Sequence, residues 1–141
     1  MKLLVCCLLA VTCCVLVDAV KDERSLKLTE VLKELKALNK SVEHNSVMLN
    51  TPSLDMEECC SLYALECFRA MVPHLTARNK QLQHKFAKSL RNPLISTSLD
   101  SCSLEEREKT VCQGCDSYPK DSQKWVQQLE SLLQKAISRL A

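Results

Sequence analysis

Cys60-Ser61-Leu62-Tyr63-Ala64-Leu65-Glu66-Cys67 sets two cysteines seven residues apart in a run with helical character. A helix rises about 1.5 Å per residue, so seven steps cover roughly 10 Å and nearly two turns, and both sulfurs emerge on one face. A second pair, Cys112-Gln113-Gly114-Cys115, is three apart. Three steps of extended chain also cover roughly 10 Å. Two disulfides can therefore hold the second pair flat along a helix carrying the first, with little strain. Spacing does not decide which cysteine takes which mate. The geometry points to a small helical scaffold that acts through its surface and has no active-site cleft.

Outward from this stretch, four predicted helices carry the apolar residues. The helix holding Cys60 and Cys67 is the second: Asp55 and Glu58 stand at capping-box spacing, Leu62, Leu65, Phe68 and Met71 continue it, and Pro73 ends it. The first runs from about Ser25 to Glu43. Its Leu28, Val31, Leu35, Leu38 and Val42 recur at steps of three and four and gather within roughly 80° on a helical wheel. Leu26 falls on the opposite face with Glu30, Lys33 and Ala37. An exposed leucine alone carries no information, but one framed by charge opposite a core stripe is a candidate contact. His44 to Ser53 holds Asn, Ser, Thr and Pro and reads as a loop.

The third predicted helix, about Leu75 to Arg91, rests on a thin line of Leu75, Leu82, Phe86 and Leu90 and is stopped by Asn92-Pro93. Pro93 to Tyr118 shows no sustained period. A connection that long needs ties, and Cys102, Cys112 and Cys115 are the candidates. The fourth helix, about Asp121 to Leu140, has the clearest pattern: Trp125, Val126, Leu129, Leu132, Leu133, Ala136, Ile137 and Leu140 fall in one arc of roughly 140°. Ile137 sits at the edge of that arc, and Glu130, Gln134 and Gln127 continue round from it. The strip has two readings, a core margin with solvated helix formers or a polar partner surface bordered by one aliphatic side chain. A moderate first connection, a very short second and a long third suit an all-α, short-chain four-helix bundle of up-up-down-down type.

The first nineteen residues read as a secretory signal peptide: Lys2 supplies the positive start, Leu3 to Val17 is apolar, and Val17-Asp18-Ala19 offers small residues for cleavage. The run is shorter than the ~20 residues a bilayer needs, which disfavours a membrane anchor. Cleavage after Ala19 removes Cys6, Cys7, Cys13 and Cys14 of ten cysteines and leaves six in one domain, residues 20–141. An even number in an exported chain implies three bridges. The net charge of +2 is too weak to argue for nucleic acid, and the basic residues look scattered, without interleaved aromatics. One glycine and four prolines speak against a β-sandwich.

Catalytic readings fail on residue type. Cys59-Cys60 with Cys67 invites comparison with secreted phospholipases, but Ser61-Leu62-Tyr63-Ala64 offers neither histidine nor aspartate as a general base. His44, His74 and His84 are isolated and form no metal-ligand set, so no metal and no cofactor is expected. Cys112-Gln113-Gly114-Cys115 has redox-motif spacing without the βαβ context. A saposin-like lipid binder would join its end helices through cysteines, and neither end helix here has one. Asn39-Lys40-Ser41 is a glycosylation sequon.

Cys112-Gln113-Gly114-Cys115-Asp116-Ser117-Tyr118, followed by Leu129-Glu130-Ser131-Leu132-Leu133-Gln134-Lys135-Ala136-Ile137, resembles the C-terminal signature of the interleukin-21 family of short-chain four-helix cytokines. Cys60 to Phe68 is similar to that family's second helix, and Lys21 to Leu38 can be laid on its first without gaps. Interleukin-15 is similar in cysteine spacing but lacks the Asp-Ser-Tyr and Ser-Leu-Leu-Gln-Lys wording. The divergent middle of the chain points to a non-mammalian member.

The resemblance implies bridges Cys60–Cys112 and Cys67–Cys115, with Cys59 and Cys102, extra to that pattern, expected to pair with each other. It implies a secreted monomer that bridges a private interleukin-21-type receptor chain and the common gamma chain and signals through Janus kinases and STAT factors in lymphocytes. Gln134, Ile137 and Glu130 would meet the common gamma chain, which turns the reading of the fourth-helix strip toward contact. By position, Glu23, Leu26, Lys27, Thr29, Glu30 and Lys33 would meet the private chain, with Lys85, Lys88 and Arg91 of the third helix. Glu23 and Thr29 replace basic residues of the family and Lys33 an acidic one, so a co-varied receptor is expected.

Overall fold

The computed structural model describes residues 23–44, 47–53, 58–112, 114–115 and 119–140. The expected leader and Asp55 lie outside them. Helix α1 occupies 23–41. Its stripe of Leu28, Val31, Leu35 and Leu38 is wholly buried, as the three-and-four spacing requires. Helix α2, Ser61–Met71, is preceded by a 3-10 turn at Glu58–Cys60 and followed by another at Val72–His74. Pro73 does end the α-helix, but the chain tightens through one more turn before leaving it.

Helix α3 spans Lys80–Leu90 and starts five residues later than the apolar line suggested. Leu75 is instead the extended residue closing the 3-10 turn, and Ala77 bridges Val42 at the end of α1. The helix begins where Asn79 can cap it, its side chain accepting from the Leu82 amide at 3.0 Å. Asn92 and Pro93 stop α3 and at once start another helix, α4 at Pro93–Leu99, with Asn92 as cap and Pro93 in the first turn. Helix α5, Leu104–Lys109, follows, capped by Ser103. The expected unstructured connection from Pro93 to Tyr118 thus contains two helices. Ile95, Ser98 and Leu99 of α4 are buried, whereas α5 buries nothing.

The expected loop between the first two helices also holds structure. Strand β1, Met48–Asn50, pairs antiparallel with β2, Pro119–Asp121, in the register Met48 to Asp121 and Asn50 to Pro119. Leu49 is the one residue of the ribbon that points into the core. Helix α6, Ser122–Leu140, follows directly, and the Asp121 carboxylate accepts from the Lys124 amide at 2.8 Å.

The core gathers the stripes of α1, α2, α3, α4 and α6. At its centre Phe68 and Trp125 meet edge to face, ring centroids 5.5 Å apart, both fully buried. The end of α1 abuts the α2–α3 turn: Glu43 donates its amide to Thr76 O and Arg78 to Ser41 O. The start of α6 lies beside it, where His44 Nδ1 and Ser122 Oγ share a hydrogen bond of 2.7 Å. The end of α6 lies beside the start of α2, where Arg139 Nε stands 3.8 Å from the Glu58 carboxylate. The molecule is predominantly helical and disulfide-stapled. Among the described residues no helix is long and apolar enough to cross a membrane.

Candidate functional site

Three disulfides bind one segment to the start of the second helix: Cys59 to Cys102, Cys60 to Cys112 and Cys67 to Cys115. Their Cα atoms lie 5.4, 5.7 and 5.6 Å apart, the ordinary span of an unforced bridge. Cys60 and Cys67 are buried on one face of the α2 region, as two turns of helix place them, and Cys112 and Cys115 are bridged to that face. Cys59 and Cys102 are only half-buried. The Glu106 carboxylate approaches both of their sulfurs within 4.8 Å. Those sulfurs are bonded to each other, so this trio offers a metal no thiolate.

The connection is tied further by charge. Arg107 pairs with Asp100 at 3.6 Å, and Arg139 Nη1 of α6 donates to Ser101 Oγ at 3.2 Å. Arg69 of α2 is a second hidden tie that the sequence pattern did not single out. Its Nε donates to Leu90 O at 2.8 Å and its Nη2 to Ser96 Oγ at 2.7 Å, closing the end of α3 and the middle of α4 onto α2. Burial pulls the Arg69 guanidinium below its ordinary pKa; Glu66 opposes that shift and Arg91 adds to it.

On α6, Trp125, Val126, Leu129, Leu132, Leu133 and Ala136 are buried. Ile137 is half-buried and packs against the core edge. Glu130 is half-buried, and Gln127 and Gln134 are exposed. The structure therefore brings Glu130, Gln134 and Ile137 together as one strip along a rigid helix, polar on its outer side and aliphatic at its margin.

On α1, Glu23, Leu26, Glu30 and Lys33 are exposed, and Leu26 keeps 67% of its surface. Lys27 and Thr29 are half-buried and internally engaged: Lys27 pairs with Glu30 at 3.6 Å, and Thr29 Oγ1 donates to Ser25 O at 2.8 Å. Lys85, Lys88 and Arg91 are exposed on α3. The two helices are linked where Lys85 Nζ stands 4.0 Å from Glu34, so both proposed sets flank a single α1–α3 contact. Glu34 itself is 8% exposed, and neither carboxylate oxygen has a hydrogen-bond partner among the described residues. Periodicity gave no sign of it, since a polar residue beside a core stripe looks like any solvated position.

Asn39 of the sequon is half-buried and its Oδ1 is enclosed, while Ser41 Oγ accepts from the Asn79 amide at 2.7 Å. His44 is not isolated, given its bond to Ser122, whereas His74 and His84 are exposed. A pocket of about 180 Å³ opens between the Val72–His74 turn and α3, floored by Val72, Pro73 and Ala87 and edged by Lys80, Gln83 and His84. Gln83 is buried there because its amide donates to Val72 O at 2.7 Å and Leu75 O at 3.1 Å. No protein family, curated protein or solved structure matches this chain.

Proposed function

We propose that the protein is a secreted, non-catalytic cytokine of the interleukin-21 type, which bridges a private receptor chain and the common gamma chain to activate Janus kinases and STAT factors in lymphocytes. The strip on α6 carries the reading: Gln134 exposed, with Ile137 and Glu130 half-buried along one edge of a helix whose other face is locked in the core. Gln134 and Ile137 are the positions at which the resembling family places its common gamma chain contacts, and Glu130 continues the same strip. The α1–α3 side, with Leu26, Glu30, Lys33, Lys88 and Arg91 exposed, supplies the second face.

Three observations support an up-up-down-down arrangement. The β1–β2 ribbon makes the two long connections run side by side in opposite directions, as two overhand crossovers do. The end of α1 meets the α2–α3 turn and the start of α6. The end of α6 meets the start of α2. Three disulfides belong in an oxidising compartment, which supports an extracellular site of action.

The test is STAT phosphorylation in lymphocytes bearing matched receptors, with Gln134→Asp and Ile137→Asp compared with wild type. A new negative charge at a desolvated contact costs several kcal/mol, so each variant should lose at least ~10-fold in potency. Wild-type potency in both, with an unchanged circular dichroism spectrum, overturns the α6 assignment.

A further inference from the structure

The charge of +2 conceals a division of the chain. From Cys67 to Leu99 there is no aspartate or glutamate, while Arg69, Arg78, Lys80, Lys85, Lys88 and Arg91 all fall there. This segment therefore carries +6 and everything outside it −4. Two of its cations are engaged: Arg69 is held by Leu90 O and Ser96 Oγ, and Lys85 faces Glu34. Arg78, Lys80, Lys88 and Arg91 are exposed and make no ion pair among the described residues.

On α3, Lys80, His84, Lys88 and Arg91 follow one another at steps of four, four and three. They form a single outward ridge about 16 Å long, turned away from the buried Phe86 and Leu90 and bordered by Gln83. Such a row concentrates positive potential along a line, and no aspartate or glutamate of α3 itself interrupts it.

The surroundings narrow the ligand. Stacking on nucleic-acid bases needs exposed aromatics beside the cations. Among the described residues Phe68, Phe86 and Trp125 are wholly buried, and the exposed Tyr63 belongs to α2 and not to the α3 row. Docking on a lipid surface needs exposed apolar side chains beside the cations, and none of the exposed large hydrophobics lies between residues 67 and 99. A linear, hydrophilic polyanion makes neither demand. The disulfides place the chain in an oxidising compartment, where polymers of that kind are sulfated polysaccharides.

We propose that the α3 ridge of Lys80, His84, Lys88 and Arg91, with Arg78 at its head, binds a sulfated extracellular polysaccharide. Sulfates lie along the row of ammonium and guanidinium groups. The pocket beside it, with Pro73 and Ala87 in its floor and Lys80 and His84 on its rim, receives the apolar face of a sugar ring. Lys88 and Arg91 also belong to the face assigned to the private receptor chain, so the two readings share residues. The polysaccharide is tested with no receptor present, so that either can fail without the other.

The experiment measures binding of the full disulfide-bonded protein to heparin oligosaccharides over a range of salt. It compares wild type with the triple variant Lys80→Gln, Lys88→Gln, Arg91→Gln and with a charge-matched control, Lys36→Gln, Lys124→Gln, Lys135→Gln, all at exposed positions. The ridge variant should lose at least ~10-fold in affinity and flatten the log–log salt dependence by about two to three, whereas the control should change less than ~2-fold. Equal losses in both triples would reduce the effect to net charge and overturn the proposal, as would no loss in the ridge variant. Two further arms use desulfated heparin and single-stranded DNA. Binding of either as tightly as heparin overturns the assignment to sulfated polysaccharide.

Discussion

Glu34 brings a carboxylate into the α1–α3 contact with both oxygens shielded and, among the described residues, no hydrogen-bond donor, only the Lys85 ammonium at 4.0 Å. Enclosing a charge with so little compensation opposes folding, and an apolar residue of similar volume relieves that cost. Glu34→Met should leave stability unchanged or raise it by about 1 kcal/mol, while Lys85→Ala, which strands the carboxylate, should lower it by about 1–2 kcal/mol. Urea denaturation reads both, and a clear loss in Glu34→Met would mean that the pair contributes to stability. Gln83 shows the opposite economy. Its amide donates to Leu75 O and is a second donor to Val72 O, at the point where Pro73 breaks the α-helical ladder. Gln83→Leu removes those donors from a buried place, so it should cost about 1–2 kcal/mol despite adding apolar surface. An unchanged denaturation midpoint would show that solvent reaches the freed carbonyl.

Asn79, Asn92 and Ser103 set where the shorter helices begin, each accepting a hydrogen bond from an amide in the first turn. Asn79→Ala should cost about 1 kcal/mol and fray the start of α3, seen as faster amide exchange at Leu82; unaltered exchange would mean that the Lys80 turn is held by packing alone. These caps also explain what the amino-acid pattern reveals. The stripes of α1 and α6 repeat over about four turns, so their faces and buried residues follow directly from period. Helices α4 and α5 are too short for a period to accumulate, and only Asn92-Pro93 and the Ser103-to-Glu106 capping spacing announce them. The β1–β2 ribbon has three residues a side and exists through its partner, so nothing local marks it. Of the candidate surfaces, the α6 strip was readable from a helical wheel. The α1–α3 side depends on Glu34 and Lys85 meeting across the fold, and the acid-free stretch around α3 vanishes when charge is summed over the whole chain.

At the scale of the molecule, no described residue from Asp100 to Asp121 contributes a side chain to the apolar core, which among the described residues passes from Leu99 to Trp125. The position of this stretch rests on three disulfides, the ribbon with β1 and the hydrogen bond from Arg139 to Ser101. Because all three bridges join the same two regions, their effects overlap. With Cys60–Cys112 intact, Cys59–Cys102 closes a ring of only roughly a dozen residues, so the double variant Cys59→Ser, Cys102→Ser should cost about 2–3 kcal/mol, less than a lone bridge across the full separation of 43. Removing every bridge should instead free the segment as a unit. Native-state reduction and alkylation, followed by brief trypsin treatment, should cut first at the exposed Arg107 and Lys109, while α1, α2, α3 and α6 retain their helical signal and the buried Trp125 its blue-shifted emission. Loss of that emission together with the first cut would show that the core does not stand without its staples. The protein would then owe the shape of its α6 strip to covalent closure and not to packing.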